Sequence, residues 1–477
     1  MDRLEKKIES LCNSGACAAL DGAEPERAHP NHWIIIMTTR TLASISTLSV
    51  LALFGCEADT NAPITLENNI NIETSGCCGC DDEDPCEEDD PCGGDDTGDD
   101  GGSDTGGEEE FVEFEEVFET SLDLEVNKVD VAFLLDTTSS MTDEAVAMAD
   151  EFSEIVDELD MTVGDAAYGF ATFDDYNYET MGSGSDRPFI LQQQVTTDES
   201  DVQAALDAVT IHSGWDGPES AMEGLYQGLL GSGYDQNGDG VYDSSTDVLP
   251  FVGGTMDPFS GSAGGAMDSG TTGGGTLGGY GFRDGSLPVI VYATDNYMRD
   301  ADAGYATPPS ANYTAGESDV IDAASEMGAR LIGIGTQSST PVPQMEQLAI
   351  ATDSLYEADA DTLVDDPLVF TWTGSSAAFR ETIVDAIEGM LENVTFATVT
   401  AEVDGNIWGF DTDVSPASYS NVTVGSTPVN LGFTVDVSGE VPASTVDQTY
   451  ALTLNIYGDG TTLIGTQAIT VLVPATL

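Results

Sequence analysis

Hydrophobic residues recur along this chain with two different periods, and the change from one to the other divides it. Residues 129–135 (VDVAFLL), 166–173 (AAYGFATF), 289–293 (VIVYA) and 330–335 (RLIGIG) are near-continuous apolar runs. That is the pattern of strands buried on both faces of a parallel sheet. Between the runs, apolar residues recur three and four apart, the spacing of a helix with one buried stripe. Met141, Ala145, Met148, Phe152, Ile155 and Leu159 make one stripe; Ala221, Met222, Leu225 and Leu229 make another; Phe379, Ile383, Ile387 and Met390 make a third. Further helices are predicted over 200–209, 320–327 and 345–352, an edge strand over 189–195 and a strand over 355–358. Strands alternating with helices predict an α/β fold, a doubly wound, mainly parallel sheet over residues 128–392. From 393 to 477 the period shortens to two. Segments 433–437, 450–456 and 468–473 alternate between turns, which predicts a C-terminal antiparallel β-sandwich, immunoglobulin-like in pattern. Residues 111–127 begin FVEFEEVFETSLDLEV, alternate in part, and read as one or two half-buried strands.

Upstream, the pattern is of another kind. Residues 37–55 join Arg40 to an apolar run over 42–53, too short to cross a bilayer comfortably, and read as a signal peptide. The tetrad Leu53-Phe54-Gly55-Cys56 resembles the bacterial lipobox, which implies lipidation at Cys56; a plain signal peptide or short anchor is the alternative. Residues 1–36 carry mixed charge and resemble no targeting signal, so translation is expected to start at Met37. Residues 56–110 are rich in Asp, Glu and Gly and contain Cys77, Cys78, Cys80, Cys86 and Cys92. They read as a disordered acidic tether with local disulfides.

Candidate chemistry sits where the apolar runs stop. The first run ends at Asp136, and Thr138 and Ser140 follow, so one carboxylate and two hydroxyls can converge from one loop. The run 289–293 ends close to Asp295. Between these, 213–220 (SGWDGPES) opens a helix, with Asp216 placed to cap it and Glu219 placed to feel its dipole, unless both serve a site. Ligands of open α/β sheets bind at the carboxyl ends of strands. Oxygen-only donors suit a hard cation such as Mg²⁺ or Mn²⁺. The D-x-T-x-S string, set between a strand and an amphipathic helix with two acidic loops downstream, resembles the von Willebrand factor A (VWA) domain and its metal-ion-dependent adhesion site. The second loop lacks the Thr common there and is similar to the Asp-x-Pro-Glu version of the integrin β subunit. The resemblance implies Asp136, Thr138, Ser140, Glu219 and Asp295 as the metal residues, with Asp216 at the same ion or a neighbouring one. Which of Asp216 and Glu219 binds directly stays open. The resemblance also implies an A domain inserted in a sandwich, with 111–126 paired to C-terminal strands.

An insert, 231–286, separates the second and third loops. Its DQNGDGVYD string puts Asp235, Asn237, Asp239 and Asp243 at the first, third, fifth and ninth positions of a calcium loop. The Val241 carbonyl takes the seventh position, and Gly240 the sharp turn. Thr246 stands where an EF-hand has its bidentate Glu, so the string resembles the shorter Asp-rich Ca²⁺ loops of extracellular proteins; a polar turn is the alternative. The Gly-rich tract 253–281 lacks the Gly-Lys-Ser/Thr end of a phosphate loop and is expected to be a flexible loop on the ligand-binding face.

Charge bounds the partners. The 477 residues include 87 Asp and Glu against 11 Lys and Arg, a formal net charge of −76. This argues against nucleic acid and predicts repulsion from bare anionic lipid, so membrane contact is expected through the lipid anchor alone. After Cys56 the remaining histidine is His212, which reads as a surface residue, and no cysteine follows Cys92. No nucleophile–base pair is therefore legible, and the chain reads as a non-enzyme. The expectation is an exported lipoprotein of the cell envelope, at the outer membrane or cell surface. It would bind an acidic group on a protein or other surface ligand through Mg²⁺ or Mn²⁺. The alternative is a structural subunit of an envelope assembly, in which the ion only stiffens the fold.

Overall fold

The computed structural model describes residues 36–39, 48–51, 110–239, 242, 246–251, 275–308, 314–357, 366–425 and 429–476. The chain divides into two units, 1–105 and 106–477. In the first, β1 (Ile36–Thr39) and β2 (Leu48–Leu51) pair antiparallel. Cys56 and residues 57–109 of the acidic tether lie outside the described residues, as do Gly240, Val241 and Asp243 of the calcium string.

The second unit begins with β3 (Phe111–Leu124) and β4 (Lys128–Asp136). A single 3₁₀ turn then leads into α1 (Thr142–Thr162), followed by β5 (Asp165–Phe173), β6 (Ile190–Thr196), α2 (Glu199–Asp207) and α3 (Ala221–Leu230). After the insert come β7 (Leu287–Thr294), α4 (Glu317–Met327), β8 (Arg330–Thr336) and α5 (Val342–Ala351). A two-residue ladder, β9 (Leu355–Tyr356) with β10 (Asp366–Pro367), precedes β11 (Val369–Trp372) and α6 (Ser376–Leu391).

The α/β sheet runs β11-β8-β7-β4-β5-β6, parallel throughout except for antiparallel β6 at one edge. Strand alternation decides its two faces. Val129, Val131, Phe133 and Leu135 of β4 meet Met148, Phe152 and Ile155 of α1, Val202 of α2 and Ile383 of α6. Ala132 and Leu134 face the other way, with Leu225 and Leu229 of α3, Val320 of α4 and Leu348 of α5. Fully burying each such side chain contributes about 1.5–3 kcal/mol, so β4 is held from both sides. Its C-terminal end is correspondingly fixed, and Asp136 sits there.

Two expected elements differ. The strand expected over 355–358 is only the β9–β10 ladder, and the sheet's outer strand is β11, a four-residue run too short to stand out by period. The described end of the Gly-rich tract is packed rather than free. Tyr280 and Phe282 are fully buried, and the Tyr280 carbonyl accepts the Val195 amide of β6 at 2.8 Å. Two large aromatic rings outweigh the looseness of the surrounding glycines.

The remaining strands are β12 (Asn393–Asp404), β13 (Asp411–Ser415), β14 (Tyr419–Gly425), β15 (Val429–Pro442), β16 (Gln448–Gly458) and β17 (Thr462–Val473). They form two antiparallel sheets, β14-β12-β16-β17 and β13-β15-β3, whose alternate apolar residues share one core. β3 pairs with β15 from Phe111↔Pro442 to Leu124↔Val429. The α/β region is therefore spliced between the first strand of these sheets and the rest. Contacts between the two parts lie at the start of the parallel strands. Glu125 donates to the Ile464 carbonyl, Leu463 to the Gly285 carbonyl, and Arg330 Nη2 to the Thr395 carbonyl. The carboxyl ends of β4, β5 and β7 point away from them.

Candidate metal centre

Three loops meet at those carboxyl ends. Asp136 is fully buried; its Oδ1 accepts from the Thr138 amide at 2.9 Å and the Thr138 hydroxyl at 2.7 Å, and its Oδ2 from Thr294 Oγ1 at 2.7 Å. Ser140 Oγ donates to Asp295 Oδ1 at 3.2 Å and stands 3.5 Å from Thr138 Oγ1. The first and third loops are thus joined through Asp136, Thr138, Ser140, Thr294 and Asp295. The second loop is stitched to the third by backbone: Glu219 N–H donates to the Tyr297 carbonyl at 2.8 Å, and Arg299 N–H to the Glu219 carbonyl at 2.7 Å. Gly214, at φ +56°, lets this loop pass over the first; a Cβ there would lie 3.0 Å from Thr138 Cγ2.

The electrostatics are those of too many buried anions. Burial, reinforced by the charges of Asp136, Asp175 and Asp295, pushes the Glu219 carboxyl far up, to about 11. Burial likewise raises Asp136 to about 7, against the hydrogen bonds from Thr294 and Thr138. Asp175, at the end of β5, rises to about 8 through burial, opposed by Arg299 and assisted by Asp216. Glu219 Oε2 and both Asp175 oxygens are buried with no hydrogen-bond donor upon them. Asp216 is turned elsewhere and accepts a hydrogen bond from Arg299 Nη2.

These observations fit a hard divalent cation. The side chains of Asp136, Thr138, Ser140, Glu219 and Asp295 all offer oxygen, Asp136 and Glu219 are buried, and the orphaned Glu219 Oε2 asks for a positive partner. Thr138 and Ser140 supply neutral oxygens, which lessen the repulsion a wholly anionic set would carry.

A second group lies alongside. Asp174, Asp186 and His212 bring one ligand atom each within 4.8 Å of one another and could hold a metal ion. His212 Nδ1 lies 2.7 Å from Asp174 Oδ2, while Thr137 Oγ1 donates to Asp174 Oδ1 at 2.6 Å. Asp186 accepts from the Ser183 amide and hydroxyl at 2.6 and 2.7 Å. The hydrogen bond to Asp174 raises the His212 pKa, and burial raises that of Asp174. His212 is thus part of a buried network and not the surface residue its isolation in the sequence suggests. Asp175 and Arg299 also escaped the sequence reading. The paired aspartates at the end of an apolar run were the available signal.

In the insert, Asp235 Oδ1 accepts the Gly238 amide and Asn237 Oδ1 the Asp239 amide, each at 2.8 Å. Gln236 fixes this string to the loop after β5 through reciprocal bonds with Asn177, at 2.9 and 2.8 Å.

No protein-family model and no curated protein matches this chain. Solved structures give distant likenesses. Two structures of proximal thread matrix protein 1 (PTMP1) from the mussel byssus align at TM-score 0.30, with 14% and 12% identity. They cover 55% and 60% of this chain and 49% and 50% of theirs, so the chain spans about half the length of that protein. The ArnB paralog VWA2 from Sulfolobus acidocaldarius aligns at TM-score 0.29 and 10% identity, covering 77% of this chain and 72% of its own. Likenesses this distant carry no functional argument.

Proposed function

We propose that this face binds a divalent cation, Mg²⁺ or Mn²⁺, and through it an acidic group on a protein or other surface ligand, as a metal-ion-dependent adhesion site of the VWA kind does. The observation that carries the reading is the hydrogen-bonded joining of Asp136, Thr138, Ser140 and Asp295, with the buried Glu219 carboxyl close enough to feel the charges of Asp136 and Asp295. Glu219 Oε2 is buried beside them. Those five residues would hold the ion, directly or through water. Bound there, it would supply a fixed positive charge toward an incoming carboxylate.

The chain's own residues do the positioning. Thr294 and Thr138 fix the Asp136 carboxylate, Ser140 fixes Asp295, and the doubly covered sheet keeps water from behind them. Trp215 and Tyr297, 62% and 51% exposed, follow the second-loop glycine and the third-loop asparagine. They offer aromatic surface around an incoming acidic group. The insert string is read as a Ca²⁺ loop that braces the loop after β5. Export and anchoring at Cys56 belong to the same reading: labelled fatty acid should appear on the protein and vanish in Cys56→Ser, and label retained in that variant removes the anchor.

Manganese tests the central claim. Water-proton relaxation should report Mn²⁺ bound with an exchangeable water, and a carboxylate-bearing peptide should displace that water. Mn²⁺ that binds with no exchangeable water favours a purely structural ion. No binding at all removes the reading.

A further inference from the structure

Arg299 is a charge in an unusual place. Its side chain is 2% exposed, and it follows directly on the third loop. Guanidinium Nη2 donates to Asp216 Oδ1 and to the Pro218 carbonyl at 2.8 Å, and Nη1 donates to the Ala306 carbonyl at 3.0 Å. The same Nη2 lies 3.5 Å from Asp175 Oδ1 with no hydrogen bond formed. Its Nε is buried without an acceptor, so the group is held by its two terminal nitrogens. Its main-chain N–H donates to the carbonyl of Glu219.

The surroundings are what a hard cation would choose. Around the guanidinium stand the carboxylates of Asp175 and Asp216 and the carbonyl of Pro218, with Glu219 next in the chain. Asp175 is fully buried, and both its oxygens are unsatisfied. All of these donors are oxygen, and Ca²⁺ accepts such irregular mixtures of carboxylate and carbonyl. A guanidinium can stand in their midst because its planar fork bonds a carboxylate and a carbonyl at once.

We propose that Arg299 is a tethered cation, filling a cradle that would otherwise take a second divalent ion, and that it is the positioning residue which presents Glu219 to the ion at Asp136. The second part rests on the metal-binding reading above; the first part does not. A neutral side chain at 299 leaves the Asp175 and Asp216 carboxylates facing each other with no positive charge between them. The vacated cradle then admits Ca²⁺, and the second loop keeps its place only while Ca²⁺ is there.

Calorimetric titration of the full chain with Ca²⁺ and separately with Mg²⁺ tests this on the wild type, Arg299→Gln and Arg299→Lys. Arg299→Gln should bind one Ca²⁺ more than the wild type. In the absence of Ca²⁺ it should bind Mg²⁺ about 10–100-fold more weakly, the usual effect of removing a group that orients a metal ligand. Arg299→Lys keeps the charge but loses the fork; it should gain no Ca²⁺ and bind Mg²⁺ about ten-fold more weakly. An Arg299→Gln protein that folds only with Ca²⁺ present also upholds the cradle. Wild-type Ca²⁺ stoichiometry together with wild-type Mg²⁺ affinity in Arg299→Gln overturns the proposal. If that variant folds under neither condition, Arg299→Lys decides, and unchanged Mg²⁺ affinity there overturns it. Should the wild type take up no Mg²⁺, the reading of Asp136 falls alone, and the extra Ca²⁺ in Arg299→Gln remains the test of the cradle.

Discussion

Replacing Asp136 by Asn separates a metal ligand from an ordinary loop acceptor, because the two roles predict opposite signs. Burial holds the Asp136 carboxyl well above its ordinary 3.8, at about 7. At pH 8 and without a cation, the folded protein must keep it as a buried anion. That cost, relative to the unfolded chain, is the rise from 3.8 to about 7, or roughly 4 kcal/mol at most. Asn is nearly isosteric, retains an oxygen for the Thr138 amide and hydroxyl, and cannot ionise. It presents an amide to Thr294 and so loses one hydrogen bond, about 1 kcal/mol. Glu219 and Asp175 share the same protons, which reduces the relief further. The metal-free Asn variant should therefore be more stable than the wild type by about 1–3 kcal/mol at pH 8. At pH 5, where the wild-type group is already protonated, the two should agree within about 1 kcal/mol. Mg²⁺ at roughly a hundred times its dissociation constant should add about 2.7 kcal/mol to the wild type and little to the variant. Scanning calorimetry at both pH values, in EDTA and in Mg²⁺, reads all of these. A variant less stable at pH 8 in EDTA, with the Mg²⁺ increment intact, would show Asp136 to be a loop acceptor and not a metal ligand.

Three further outcomes are expected. Metal-free wild type should lose stability as pH rises from about 4 to 8, because folded Asp136, Asp175 and Glu219 retain protons that the unfolded chain releases near its ordinary carboxyl values. His212, raised by Asp174, acts in the same direction, its contribution present at low pH and lost as pH rises through its folded value. Urea unfolding in EDTA at pH 5 and pH 8 checks the sign, and greater stability at pH 8 contradicts it. Gly214→Ala imposes a left-handed residue, costing about 1–2 kcal/mol, and pushes on Thr138, so both melting temperature and Mg²⁺ affinity should fall; an unchanged Mg²⁺ titration would show that the first loop gives way freely. Asp239→Ala should bind one Ca²⁺ fewer than the wild type by calorimetry, and equal stoichiometry reduces the insert string to a turn.

The parts of the site legible in sequence were those written consecutively. Asp136, Thr138 and Ser140 fall within five residues behind an apolar run, and the strand that ends at Asp136 fixes where they go. Asp295 was readable for the same reason, at the end of β7. The direction of Asp216 was not, because it depends on Arg299, a residue more than eighty positions away that only folding brings into hydrogen-bonding reach. His212 looked solitary because Asp174 and Thr137, its partners, belong to two other loops. The sheet was legible through its continuous apolar runs, whereas β11 was not, since four residues carry too little period. The Gly-rich tract misled by composition: its described end is governed by Tyr280 and Phe282, not by its glycines.

The pairing of β3 with β15 also sets a timetable. Thr120 and the Phe433 carbonyl that accepts its hydroxyl are 313 residues apart in the chain. At about 5–20 residues per second, a ribosome delivers the partner strand roughly 15–60 s after β3 has emerged. Throughout that interval the fourteen residues of β3 lack the strand they pair with, and an unpaired strand of that length is the kind of template on which neighbouring chains aggregate. Glu113, Glu115, Glu116, Glu119 and Asp123 line it with like charge. Two nascent copies brought edge to edge would set those carboxylates against one another, so acidity guards the strand until its own partner arrives.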